Sequence, residues 1–198
     1  MKENDDIALV KECIDKISVN FRKNADIYFN ESDLQNSLFV LLLEKFNTEV
    51  DLKNISVWGT DKPMSVRKVT TRRLHSELLL PEGRIDLAIL DVGNTFLAVN
   101  SKGHNPGFRI EKGNHIFIEI KASRTSRSSI TSRKKWRHLI LSDVTKLKRY
   151  ENPCFLLCFD FNQLLNSREV ASIQKKAKKN IKVIYVQNDK CNNYFVNG

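Results

Sequence analysis

The segment 154–161 (CFLLCFDF) is an apolar strand lying between two stretches of helical spacing, and it limits the possible folds more than any other part of the chain. A strand without polar alternation has no solvent face, so it belongs inside a sheet covered on both sides. The rest of the chain supplies the covers. Apolar residues recur at helical period in 5–22 (Ile7, Val10, Ile14, Ile17, Phe21) and in 31–47 (Leu34, Leu38, Leu41, Leu42, Phe46), with Ser32 or Asn30 capping the second. Further helices are predicted over 134–150 and 163–179. Strands are predicted within 66–80, over 84–90, 96–99, 115–121 and 181–186, with an edge strand at 194–196 and a polar loop over 100–114. Strands with helices before, between and after them predict an α/β fold. A single domain is expected over 1–198, with an N-terminal helix (1–23) and a C-terminal strand extension (181–198).

The chain has 198 residues, 41% hydrophobic and 28% charged, which suffices for one core without disulfides or metals to hold it. The apolar run Leu38–Leu43 is far short of a bilayer span, and residues 1–20 carry Glu3, Asp5 and Asp6 with no signal-peptide core. The expectation is therefore a cytoplasmic protein, neither membrane-bound nor secreted. Cys13, Cys154, Cys158 and Cys191 show no zinc-type pairing and read as buried thiols.

The net charge is +10, and residues 121–150 hold most of it, with ten basic residues and one acid, Asp143. Such a footprint fits a polyphosphate partner, most simply nucleic acid, with Arg124, Arg127, Arg133, Lys134, Lys135, Arg137 and Lys146 as contacts. A solvated basic face with no partner is the alternative. Trp58 and Trp136 are candidates to stack on bases, Trp136 otherwise packing its helix onto the sheet.

Asp86 lies on a strand after a turn, in GRIDLAIL, and Glu119 and Lys121 lie on a later strand, in IFIEIKAS. Side chains alternate along a strand, so Asp86, Ala88 and Leu90 share one face and Ile85, Leu87 and Ile89 the other; Phe117, Glu119 and Lys121 likewise share a face. Suitable pairing brings Asp86 to Glu119 and Lys121. Two adjacent carboxylates repel unless a cation is present, and oxygen ligands suit Mg²⁺ or Mn²⁺. A metal-activated water beside a lysine is the chemistry of phosphodiester hydrolysis. Glu31 falls on the buried face of the second helix, an odd place for a carboxylate unless something there needs it. The plain alternative pairs Asp86 with Arg84 or Arg73 and makes Glu119 and Lys121 ion-pair partners on an exposed sheet face. Of the histidines (His75, His104, His115, His138), His115 alone shares a face with Glu119.

The set Glu31, Asp86 and Glu119-Ile120-Lys121 resembles the PD-(D/E)xK nucleases, over about residues 31–161. The resemblance implies a restriction-endonuclease-like mixed central sheet flanked by helices, in the order αβββαβ. It implies that Asp86 and Glu119 bind the metal with the Ile120 carbonyl as a further ligand, that Lys121 assists the attacking water, and that Glu31 supports the metal through water or a second ion. Some branches carry Gln-x-x-x-Tyr on the following helix; here Tyr150 is present, a further candidate nucleic-acid contact, while Lys146 replaces the Gln. Asp86 and Glu119 are 33 positions apart, longer than is common, and Ile85 stands where the family name has Pro. The resulting expectation is a metal-dependent DNA endonuclease acting on double-stranded DNA, alone, as a homodimer or with a partner subunit. The alternatives are a catalytically silent nucleic-acid-binding or scaffold protein, or a nuclease subunit of a defence, recombination or transposition complex.

Overall fold

The computed structural model describes residues 3–52, 55–57, 69–80, 83–99, 107–126 and 129–189. Among them are the helices α1 (Glu3–Asn24), α2 (Glu31–Phe46), α3 (Arg133–Leu147) and α4 (Ser167–Lys176). The strands are β1 (Glu49–Leu52), β2 (Ile55–Val57), β3 (Val69–Arg72), β4 (Leu74–Leu80), β5 (Gly83–Ile89), β6 (Thr95–Val99), β7 (Gly107–Ile110), β8 (Ile116–Ala122), β9 (Arg124–Ser126), β10 (Ser129–Ile130), β11 (Cys154–Asp160) and β12 (Ile181–Gln187). Trp58, Arg127, Cys191 and the edge strand expected at 194–196 lie outside the described residues.

The main sheet is mixed, in the order β12-β11-β8-β5-β4. β8, β11 and β12 are parallel, β5 is antiparallel to β8, and β4 is antiparallel to β5. β11 has a neighbour on each side and is buried along its whole length, as its apolar sequence requires. One face of the sheet packs Leu87, Ile118, Leu157 and Phe159 against Ile14 and Phe21 of α1 and Leu34, Leu38 and Leu42 of α2. The other packs Ala88, Phe117, Leu156 and Val183 against Trp136, Ile140, Val144 and Leu147 of α3 and Ile173 of α4. The protein is thus a mixed α/β three-layer sandwich. α1 and β12 are built into these two cores. Among the described residues no helix is long and apolar enough to cross a membrane.

Several boundaries moved for local reasons. Asn30, not Ser32, caps α2, its side chain accepting from the Asp33 N–H. α3 stops at Leu147 because Arg149 and Tyr150 donate to Lys146 and Leu147, tightening the last turn to three-residue spacing. α4 starts only at Ser167, where Asn166 and Glu169 form a capping box. Its expected first turn is instead a loop gathered on Asp160, whose Oδ2 accepts the Leu164 N–H at 2.5 Å. The loop expected over 100–114 contains β7, paired with β6. Ile85 packs with Ala88 and Leu90 rather than with Leu87 and Ile89. The change falls opposite Glu77 (φ 53), which sits in the left-handed region where the β4–β5 ladder skips a pair between Ser76↔Leu87 and Leu78↔Ile85.

Candidate active site

The site forms where two strands part. β5 pairs with β8 from Ile89↔Ile116 to Leu87↔Ile118. Beyond that register the strands diverge, and Asp86 reaches across the opening, Oδ2 accepting the Ile120 N–H at 2.7 Å. The N–H and C=O of one strand residue point to the same edge, so the Ile120 carbonyl faces the same opening. The kink at Glu77, opposite Asp86, is held by Gln35 of α2 (Nε2 to Oε1, 2.8 Å) and by Arg84 (Nε to Oε2, 2.7 Å). Gln35 also donates to the Asp86 carbonyl at 3.2 Å, so α2 braces the fork from one face.

Two lysines then meet four carboxylates. Lys121 Nζ lies 3.0 Å from Glu31 Oε1 and 3.6 Å from Asp143 Oδ2. Glu31 occupies the first turn of α2, where the helix dipole favours a carboxylate, and its Oε2 accepts the Ala122 N–H at 3.3 Å. Lys146 Nζ lies 2.6 Å from Glu119 Oε2 and donates to the Arg84 carbonyl at 2.8 Å. Glu119 is 1% exposed, and its Oε1 is buried with no hydrogen-bond partner among the described residues. Neither plain alternative from the sequence holds. Arg84 pairs with Glu77, Arg73 pairs with Asp6, and Glu119 and Lys121 each pair with a different residue.

Burial and crowding set the proton affinities. Burial, and then the neighbouring Asp86, push the Glu119 carboxyl up to about 8, with Lys146 working the other way. Burial likewise raises Asp86 and Asp143 above the ordinary aspartate value. Burial works against the charge of Lys121, but Asp143, Glu31 and Asp86 outweigh it and raise its pKa, so its ammonium stays charged. With every carboxyl ionised, Glu31, Asp86, Glu119 and Asp143 exceed Lys121 and Lys146 by two negative charges, the charge of one divalent cation.

The donor set fits such a cation. Among the described residues no three His, Cys, Asp or Glu side chains form a ready-made cage. Mg²⁺ does not ask for one: it keeps several waters and takes one or two carboxylates from the protein. Asp86, Glu119, which lies near enough for Asp86 to raise its proton affinity, and the Ile120 carbonyl offer oxygens of that kind.

The sequence-predicted site residues Glu31, Asp86, Glu119 and Lys121 are thus brought together. The basic residues scatter. Lys134 and Lys135 are exposed on α3. Arg133 is bound to Glu169 of α4 (2.6 Å), tying two helices together. Arg124 lies 4.8 Å above the Phe161 ring. Two expectations are corrected, at Tyr150 and His115, and at Trp136 the packing alternative is the one realised. Trp136 is fully buried and its Nε1 donates to the Tyr185 hydroxyl at 2.9 Å, so it packs the helix and stacks on no base. Tyr150 is buried beside Phe117, 4.8 Å between ring centroids, and offers no surface contact. His115 is buried away from Glu119, bonded to the Asp91 N–H and the Glu111 carbonyl.

Asp143 was missed as a site residue. Its signal was available: it falls on the same helical stripe as Trp136, Ile140, Val144 and Leu147, the anomaly that singled out Glu31. Beside Lys146, a groove of about 470 Å³ runs along α3, lined by His138, Leu141, Ser142, Thr145, Lys146 and Arg149. Compared with protein-family models, with curated proteins and with solved structures, the chain matches none.

Proposed function

We propose that this chain is a metal-dependent nuclease that hydrolyses phosphodiester bonds in DNA, a PD-(D/E)xK enzyme on a restriction-endonuclease-like fold. The observation that carries the reading is the set of buried Asp86 and Glu119 with half-buried Lys121 at the strand fork, Glu119 Oε1 having no hydrogen-bond partner among the described residues. Counting only the strands of the five-stranded sheet, the order α2, β4, β5, β8, α3, β11 agrees with the αβββαβ arrangement that the resemblance implies. Free, buried Cys13, Cys154 and Cys158 agree with a reducing cytoplasm.

Asp86, Glu119 and the Ile120 carbonyl would hold Mg²⁺ or Mn²⁺. When bound, the ion neutralises phosphate charge and lowers the pKa of a coordinated water. Lys121 keeps its proton on Nζ and offers a positive hydrogen-bond donor to charge building on the phosphate. Glu31 and Asp143 aim that ammonium from either side. The α3 groove, with hydroxyls from Ser142 and Thr145 and the guanidinium of Arg149, gives the nucleic-acid backbone a seat beside the fork. Exposed Lys134 and Lys135 on the same helix add a sequence-independent attraction.

The test is a cleavage assay on circular duplex DNA, single-stranded DNA and RNA, each with Mg²⁺, Mn²⁺ or EDTA. Wild type should cut duplex DNA only with metal, and Asp86→Ala and Lys121→Ala should not cut. Cutting that survives both substitutions places the chemistry elsewhere. Salt-sensitive binding by all three proteins without cutting marks a silent binding protein.

A further inference from the structure

Lys146 sits at the position where charge alone predicts a phosphate contact, yet its ammonium is engaged inside the protein. Nζ lies 2.6 Å from Glu119 Oε2 and 2.8 Å from the Arg84 carbonyl oxygen. Arg84 is two residues before Asp86 on β5, and Glu119 is on β8. One side chain from α3 therefore grips both arms of the fork just past the last paired register, Leu87↔Ile118. The grip also orients a carboxylate. A glutamate has three side-chain torsions to fix, and Glu119 Oε1 has no hydrogen-bond partner among the described residues, so the contact at Oε2 sets the direction in which Oε1 points.

We infer that Lys146 is a positioning residue: it ties β5 to β8 across the opening and occupies Glu119 Oε2, so that Oε1 alone is presented to a cation. The inference rests on the metal-nuclease reading above. It reassigns Lys146 from holding the substrate to shaping the metal site, in the manner of outer-shell groups that orient metal ligands. Its burial agrees, since the Lys146 side chain is 24% exposed whereas a phosphate-gripping lysine keeps its ammonium in solvent.

Two measurements on wild type, Lys146→Met and Lys146→Gln test it, with thermal melts to verify folding. Mn²⁺ uptake is titrated by the electron paramagnetic resonance of the free ion. Duplex DNA binding is followed by fluorescence anisotropy in EDTA across a salt series. The expected result is Mn²⁺ affinity lower by about 10- to 100-fold in both variants, with the wild-type salt slope of DNA binding retained. Unchanged or tighter Mn²⁺ binding overturns the inference. So does a salt slope reduced by about one, the mark of a lost phosphate contact. Should the neutral variants not fold, Lys146→Arg keeps the charge and displaces the donor; Mn²⁺ affinity equal to wild type in that variant overturns the inference equally. Wild type that takes up no Mn²⁺ sinks the metal reading itself, whereas wild-type uptake with unchanged variants sinks only the role of Lys146.

Discussion

Replacing Glu119 by Gln keeps the shape of the side chain and removes its titration. In the metal-free protein, burial and then Asp86 raise this carboxyl from 4.5 to about 8. A carboxyl whose pKa rises on folding binds its proton more tightly in the folded state. The stability this brings is complete below the unfolded value and drains away as the pH climbs from 4.5 to about 8. Between pH 5.5 and 8 the loss is about 3 kcal/mol, at about 1.4 kcal/mol per pH unit with rounding near the upper end. The amide has nothing to lose, so the unfolding free energy of Glu119→Gln relative to wild type should improve by about 3 kcal/mol over that range. Titration of His75 and His115, lowered chiefly by burial, is common to both proteins and cancels in the difference. Urea unfolding in EDTA at a series of pH values reads the effect directly, and in melting temperature it corresponds to roughly 6–12 °C for a chain of this size. A difference between the two proteins that does not change with pH refutes the argument that burial beside Asp86 holds a proton on Glu119. Millimolar Mn²⁺ at pH 8 should raise the wild-type melting temperature by mass action and leave that of Glu119→Gln nearly unmoved.

Lys121→Met leaves Asp143 buried beside an apolar chain and should destabilise by about 2 kcal/mol, less than for a fully buried pair because Glu31 remains partly in solvent. Adding Asp143→Leu should return most of that loss in urea unfolding, and no recovery would mean the two residues are not coupled. Tyr185→Phe removes the hydroxyl that accepts from Trp136 Nε1 (2.9 Å) and donates to the buried Asp160 (2.5 Å). It should cost about 2 kcal/mol, read by the same method, and a neutral result would show that water replaces the hydroxyl.

Much of the scaffold was legible because it depends on periodicity. The stripes Ile7–Phe21 and Leu34–Phe46 became α1 and α2, and the alternation at 85–90 and 115–121 became β5 and β8. Glu31 was legible because a carboxylate on an apolar stripe is an anomaly, and Glu119 and Lys121 because two residues apart on a strand means one face. The same test applied to α3 would have found Asp143. The charge run misled where charge alone was counted. Composition cannot tell Lys134, exposed on a helix surface, from Lys146, bonded to Glu119, or from Arg133, bonded to Glu169. Tyr150 was mistaken for a surface group, and Trp136 left open between base stacking and packing, because an aromatic ring in a basic segment looks the same whether it faces a base or a core.

By itself, the sequence determined the apolar stripes that become α1 and α2, the fully buried strand β11, and the placing of Glu31, Glu119 and Lys121 on faces where such groups are unusual, because these follow from spacing along one chain. The tertiary structure decided where β5 and β8 part, that Asp86 fills the gap, and that Lys146 crosses from α3 to hold Glu119. It also decided that Glu77, 42 residues from Gln35 in the chain, kinks the sheet opposite Asp86 under that side chain's hold. Pairing register and side-chain partnerships between distant segments are set by how whole faces pack, and no local pattern encodes that.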